Sequence, residues 1–459
     1  MDLNGEKSPL TLKNFLSVLG IALALRLAIF FYLLFHPQGT FYGDSRDYYY
    51  LAQNLIQHHV FSRQAFPPLV IDAIYPPGYV LFLTNLFVIF GYRIWVVTLV
   101  QIVLTTAILY LIYHLGKQFL GTGPAILAGF IWAIDLESIF YVNILAPDTL
   151  LTLSLLLFLY FFVKLNMNLR FAFAAGLMLG IAAIIKPIAL YLPVFAILML
   201  WFWRKAHLTG TPTCANFWRP AILIIVAFSL IVFPWFLRNR VVFGKWKFTA
   251  LQGKNLLFYN VASLESNLRG ITFHQANDSL QVELDARYPN LAKMNPMEIS
   301  TIYEKLAVKK IFQHPFRYAV LHSRGIVTTL IDPGRIDINN VFQFNNPSQG
   351  FLEVISCASL PELLRFIRQF PTMQLFLFLG YGSFLLTITF FLFYGIAVLC
   401  HQRNFVPLII FGIPLFYFLL IIGPIGAARF RNPIMPNIAL LAALGCYSLK
   451  QKFQEFKKE

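Results

Sequence analysis

The sequence predicts an all-α, polytopic membrane protein, and three observations carry that prediction. Of its 459 residues, 58% are apolar and only 12% charged, with a mean hydropathy of +0.68. An ordinary soluble domain carries about 25% charged residues, so this chain lacks the charge to coat itself in water. Long uncharged runs recur along the chain between short charged breaks, and alternate breaks collect the cations. The composition excludes intrinsic disorder, a coiled coil and a soluble Rossmann or TIM-barrel enzyme.

The clear runs are 15–35, 94–113, 220–237, 373–399, 405–425 and 433–449, and shorter ones are 124–142, 148–163, 171–185 and 187–203. Helices satisfy their own backbone groups in lipid, which suits such runs. No secretory cleavage pattern follows the first run, so it reads as an uncleaved signal anchor. Lys/Arg asymmetry orients the set. With Lys7 and Lys13 inside, the inner breaks hold Lys117, Lys164, Arg170, Arg204, Lys205, Arg219, Arg403, Lys450, Lys452, Lys457 and Lys458. This requires that 79–90 not cross. At 12 residues it spans about 18 Å as a helix, against a hydrocarbon core of about 30 Å, so it is expected to lie in the outer interface. Ten crossings follow, in a cell (inner) membrane, with both termini cytoplasmic.

Residues 1–237 then form a transmembrane core that includes a first extracytoplasmic loop, 36–93. A second extracytoplasmic loop spans 238–372, and 373–459 supplies the last helices and a cytoplasmic tail. The second loop holds 16 Lys/Arg and 10 Asp/Glu, which is allowed because long translocated segments escape the charge rule. Nucleic acid is not expected as a partner, since the cations form no single patch on a soluble face. Asn295-Pro296-Met297-Glu298 is a helix start, with a cap, Pro at N1 and Glu at N3. Ile299, Ile302, Tyr303 and Leu306 follow at helical spacing, so this loop is expected to fold as helices on the membrane or over a cavity. Cys214, Cys357, Cys400 and Cys446 have no metal-ligand spacing, and with only Cys357 outside no disulfide framework is expected.

A charge at the bilayer centre costs about 2.5–3.5 kcal/mol even on lenient scales, so it faces a partner or a cavity. Several charges gather at the outer boundary of this chain. Asp44 follows the first helix, and Asp148 opens the fourth. Lys186 sits in the hairpin between the fifth and sixth, Arg238 and Arg240 leave the seventh, and Arg429 and Arg431 enter the tenth. Cations of this kind hold a phosphate-bearing lipid headgroup, and an unpaired carboxylate is left to act as a base.

Several of these segments, in order, resemble the GT-C superfamily of integral-membrane glycosyltransferases, relatives of which include protein O-mannosyltransferases and the aminoarabinose transferases of lipid A. Tyr42-Gly43-Asp44-Ser45-Arg46-Asp47-Tyr48 resembles the first-loop segment with its essential acid. Tyr75-Pro76-Pro77-Gly78-Tyr79 resembles the PP segment, and Leu145-Ala146-Pro147-Asp148 the second-loop acid. The hairpin ending in Lys186-Pro187, His314-Pro315-Phe316-Arg317-Tyr318, and Arg429-Phe430-Arg431-Asn432-Pro433-Ile434-Met435-Pro436 resemble later family segments. The resemblance implies a GT-C-like helix bundle, a polyprenyl-phosphate sugar donor, and transfer outside the cytoplasm with inversion at the anomeric carbon. The acceptor would be a hydroxyl of a lipid, glycan or protein. Ile74-Tyr75 departs from the acidic–basic pair that some lipid A transferases carry before the PP, which speaks against an aminoarabinose donor.

On this reading Asp44 is the candidate general base, with a metal ligand or the N-cap of a helix over 45–57 as its other roles. Asp47 lies one turn on, as a supporting or helix-terminus charge. Asp148 binds the acceptor, holds a divalent metal or caps its helix. Arg238, Arg240, Lys186, Arg429 and Arg431 are candidate donor-phosphate ligands, against headgroup anchoring as the plainer role. Arg26, in the middle of the first helix, is expected in a bundle-facing salt bridge, while Asp135 and Glu137 snorkel or pair with a cation. The rival function is a transporter or flippase of a lipid-linked glycan, which predicts inverted repeats and broken helices at mid-membrane. No internal repeat is visible.

Overall fold

A computed structural model describes residues 9–165, 167–206, 217–344 and 370–457. Cys214 and Cys357 lie outside the described residues, while Cys400 and Cys446 are free thiols. Helices make up the regular structure, with no strand among the described residues.

The first half runs α1 (Pro9–Phe35), α2 (Ser45–His58), α3 (Pro77–Phe90), α4 (Ile94–Leu120), α5 (Thr122–Ile134), α6 (Leu136–Tyr141), α7 (Asp148–Val163), α8 (Arg170–Ile185), α9 (Leu192–Ala206) and α10 (Trp218–Phe243). The second loop folds into α11 (Leu251–Asn255), α12 (Ala262–Arg269), α13 (Phe273–Arg287), α14 (Pro296–Gln313), α15 (Pro315–Ile331) and α16 (Arg335–Phe342). The chain closes with α17 (Thr372–His401), α18 (Ile413–Ile421), α19 (Ala428–Arg431) and α20 (Met435–Phe456).

Among the described residues, five helices are long and apolar enough to cross a membrane: α1, α4, α10, α17, and the stretch Pro187–Lys205 that takes in most of α9. Shorter apolar helices, α5, α7, α8 and Phe405–Ile421, fill the interior of the same bundle. The protein is a multi-pass membrane protein. One apolar core joins residues from α1, α4, α5, α7 to α10, α17, α18 and α20. The α8–α10 seam shows why small residues recur in α8. A Cβ at Gly176 would stand 2.4 Å from the Ile224 carbonyl oxygen, and one at Gly180 would stand 2.7 Å from Ile231. Without a hydrophobic drive between helices in lipid, such close backbone approach is what holds them together.

The run 79–90 is the 14-residue α3, which buries Tyr79, Val80, Leu83 and Phe87 against α2 and α8. At about 1.5 Å per residue it is too short to span the core. The second loop has a small core of its own, in which Leu257, Val261, Leu280, Leu284 and Leu306 meet. The Asn295 side chain caps α14, accepting from the Met297 amide at 2.9 Å.

Two expectations about buried charge need correction. Arg26 is fully buried, but its guanidinium donates to the carbonyls of Ala22 and Ala133 and stacks 4.3 Å from the Trp132 ring centre, with no carboxylate among the described residues bonded to it. Asp135 and Glu137 do not snorkel, for both are completely buried. Asp135 caps α6 through the Ser138 amide and hydroxyl and accepts a hydrogen bond from Tyr381.

Candidate active site

Asp44 stands at the N-cap position of α2, where its side chain makes no capping bond. Gly43 turns the chain just before it at φ +57°, a conformation that costs glycine little. The freed carboxylate points into the bundle. Arg429 Nη2, on α19, donates to Asp44 Oδ2 at 2.7 Å, and Tyr75 Oη reaches Asp44 Oδ1 at 3.2 Å. The same hydroxyl lies 2.9 Å from Asp47 Oδ2. Arg63 continues the chain, with Nη1 3.4 Å from Asp47 and Nε 3.1 Å from Asp72 Oδ1.

A second pair lies deeper. Lys186 Nζ, at the α8–α9 hairpin, is 2.7 Å from Asp148 Oδ1 at the start of α7. Asp148 is fully buried, and its Oδ2 has no hydrogen-bond partner among the described residues. The Asp44 and Arg429 side chains are 40% and 29% exposed, against 0% and 13% for Asp148 and Lys186, so the cluster opens to solvent on the Asp44 side. Burial alone would raise the Asp44 carboxyl. The charge and hydrogen bond of Arg429, with the charge of Lys186, outweigh it and hold the group below its ordinary value.

The other candidate cations are placed differently. Arg431 is 1% exposed, and its guanidinium donates to the carbonyls of Thr329 and Asp332 and to Tyr381 Oη. Arg238 donates to the Asp72 carbonyl at 3.1 Å within a box of Phe61, Trp235 and Phe243, tying α10 to the first loop. Arg240 is exposed and turns back onto the Gly244 carbonyl. Among the described residues, no bond joins these three to Asp44.

Sequence reasoning missed the supports of the Asp44–Arg429 pair, which come from the turn between α15 and α16 and from the first turn of α16. Asp332 Oδ2 accepts from the Ala428 amide at 3.2 Å, beside Arg429. Asp337 Oδ1 accepts from Tyr42 and Tyr141, each at 3.1 Å, and Tyr42 is two residues before Asp44. Burial raises the Asp337 carboxyl against these hydrogen bonds and the charge of Arg429. Glu137 lies alongside, its two carboxylate oxygens without hydrogen-bond partners among the described residues and one of them only 1.8 Å from where a Cβ at Gly334 would stand. Nothing in the spacing of Asp332 and Asp337 marks them out. Their only signal is that they are the first acids after a long cationic stretch.

Residues 75–236 match the family described as dolichyl-phosphate-mannose-protein mannosyltransferase. No curated protein matches the chain by sequence. Among solved structures, the apo oligosaccharyltransferase of Archaeoglobus fulgidus superposes with a TM-score of 0.51 at 16% identity, over 97% of this chain and 51% of that one. The chain shares the fold of this archaeal structure. The same archaeal protein, AglB, in complex with an inhibitory peptide and a dolichol-phosphate, gives 0.51 at 15% identity over the same shares of the two chains. ArnT from Cupriavidus metallidurans bound to undecaprenyl phosphate matches at 0.38 and 11% identity, over 93% of this chain and 77% of that one. The chain thus spans about half the length of the archaeal structures.

A divalent metal is poorly served among the described residues. Among the described residues, no three His, Cys, Asp or Glu side chains converge as ligands. Asp44, Asp47 and Asp148 each meet a cation of the protein itself. The donor set therefore offers no ready three-ligand site for a metal ion among the described residues.

Proposed function

We propose that the protein transfers a sugar from a polyprenyl-phosphate-linked donor to an acceptor hydroxyl on the extracytoplasmic face of a cell membrane, with inversion. One observation carries this reading: Asp44, held ionised by Arg429, stands beside the Lys186–Asp148 pair at the open end of the helix bundle. The matched family description and the dolichol-phosphate in the archaeal complex support a lipid-phosphate donor.

Arg429 and Lys186 bind the donor phosphate as charge-assisted hydrogen-bond donors. A phosphate that engages Arg429 competes with Asp44 for it, so donor binding releases the carboxylate and raises its basicity. The acceptor oxygen then attacks the anomeric carbon opposite the phosphate. The new C–O bond forms as the bond to the phosphate oxygen breaks, that oxygen keeps the electron pair, and Asp44 takes the hydroxyl proton. The departing phosphate needs no acid, since the two cations neutralise it in place. Asp148 orients Lys186, and Asp47 steadies Asp44 through Tyr75. Arg238, Arg240 and Arg431 take supporting roles from where they stand: clasping the first loop, meeting headgroups and bracing the α15–α16 turn. The second loop selects the acceptor.

Membranes containing the chain, given a panel of radiolabelled polyprenyl-phosphate sugars, test this. Wild-type membranes should transfer label to acceptor, while the Asp44→Asn variant inserts normally and loses about 10²- to 10⁴-fold in rate, the range of a lost general base. Undiminished turnover in the variant removes Asp44 from the mechanism. Movement of lipid-linked sugar across the bilayer without transfer would favour the flippase instead.

A further inference from the structure

We infer that the consecutive helices α14 and α15 dock on the anionic phospholipid headgroups of the leaflet on the Asp44 side of the membrane. This surface stands apart from the proposed chemistry. From Lys305 to Ile331 the chain carries five Lys/Arg and no acid. Lys305, Lys309 and Arg324 are exposed and have no carboxylate partner among the described residues, and Arg317 reaches only the neutral Asn267. Lys305, Lys309 and Phe312 share one face of α14, and Phe316, Val320, Arg324 and Val327 share one face of α15. Phe312 is 77% exposed and Phe316 87%, with Val320 and Val327 each about half exposed. Bare aromatic and branched side chains among unpaired cations are what a helix lying at a lipid surface presents.

The contacts of α15 set its depth. On its buried side, His322 is 3.3 Å from the Leu419 carbonyl near the end of α18, and Gly325 packs against Gly423 and Pro424. Further along, Thr329 bonds Arg431, and α15 also packs on α17. The helix therefore runs along the rim of the bundle at the ends of its membrane helices. Its opposite face is exposed at Phe316, Val320, Arg324 and Val327. There the cations meet phosphates, each contributing attraction near the surface that salt screens. By contrast, α13 carries Asp278, Glu283 and Asp285 around its exposed Val282, a composition that stays in water.

The test uses the full chain with its four native cysteines replaced and an environment-sensitive fluorophore placed through Phe316→Cys or Val282→Cys. In proteoliposomes containing phosphatidylglycerol, the probe at 316 should emit to the blue of the probe at 282. It should also be shielded from aqueous iodide and quenched by lipids labelled near the headgroup. In phosphatidylcholine alone the shielding should weaken, as it should when Lys305, Lys309 and Arg324 are changed together to Gln. Iodide reaching 316 as freely as 282 overturns the docking. Shielding that persists in lipid-free amphipol shows that protein covers the face, and overturns it too. Equal shielding in both lipids overturns its electrostatic part.

Discussion

Asp44 and Arg429, 385 positions apart in sequence, meet through a 2.7 Å hydrogen bond between carboxylate and guanidinium. Each masks the group that the other's task requires. A base bonded to an arginine is kept ionised but is a weak base, and an arginine bonded to an aspartate is not yet a phosphate ligand. A substrate bearing phosphate resolves both at once.

Replacing Arg429 by Gln should therefore move the acid limb of kcat/KM to higher pH. Asp44 is held below its ordinary value in the native protein, so its ionised form persists to lower pH there. Without the arginine, burial dominates and the carboxyl protonates earlier as pH falls. Tyr75→Phe should shift the limb the same way by less, since its hydroxyl adds a smaller stabilisation of the carboxylate. A pH–rate profile reads both, and an unmoved limb in the Gln variant argues against Asp44 as the base.

The Lys186–Asp148 pair makes a prediction about stability. Both side chains are largely withdrawn from water. Lys186→Met alone leaves a buried carboxylate uncompensated, which costs about 3–5 kcal/mol. The double variant Lys186→Met, Asp148→Asn should recover much of that loss. Thermal unfolding in detergent distinguishes the two, and equal destabilisation by the single and double variants would count against a buried ion pair.

Tyr42 and Asp337 should behave as one unit. Tyr42→Phe and Asp337→Ala each remove the 3.1 Å bond that steadies the segment before Asp44. Their effects should be non-additive by about 0.5–3 kcal/mol, and both should speed hydrogen exchange across residues 40–48. Additive effects would assign Asp337 to its Tyr141 bond alone.

Gly334→Ala should destabilise the α15–α16 turn by about 1–3 kcal/mol, the range for a non-glycine residue forced into such backbone. Here φ is +70° and the new methyl would run into Glu137. Adding Glu137→Ala should restore only the part due to the collision. Full restoration, read by thermal unfolding, would show that the backbone conformation contributes nothing.

The helices were legible because lipid enforces a simple code. Uncharged runs marked α1, α4, α10 and α17, and its length together with the Lys/Arg asymmetry kept α3 from being counted as a crossing. Asn295 was legible as a cap for a similarly local reason. Asp44, Arg429, Lys186 and Asp148 stood out as charges at one boundary, where burial must be repaid by a partner or a cavity. The divergence of Arg429 and Arg431 was not legible. Two positions apart on a helical turn, they point in different directions, one to the carboxylate and one into the backbone of the α15–α16 turn. Arg26 escaped the salt-bridge rule because carbonyls at the end of α5 served as its acceptors. Asp332 and Asp337 were hidden because a tertiary clasp leaves no periodic trace.

The turn from Asp332 to Asp337 grips the base through Tyr42 and the arginine through the Ala428 amide. Anything that shifts this one stretch disturbs both halves of the pair together. A nanobody or small molecule wedged beneath α16 would silence the protein without resembling either substrate, and raising substrate concentration would not rescue it.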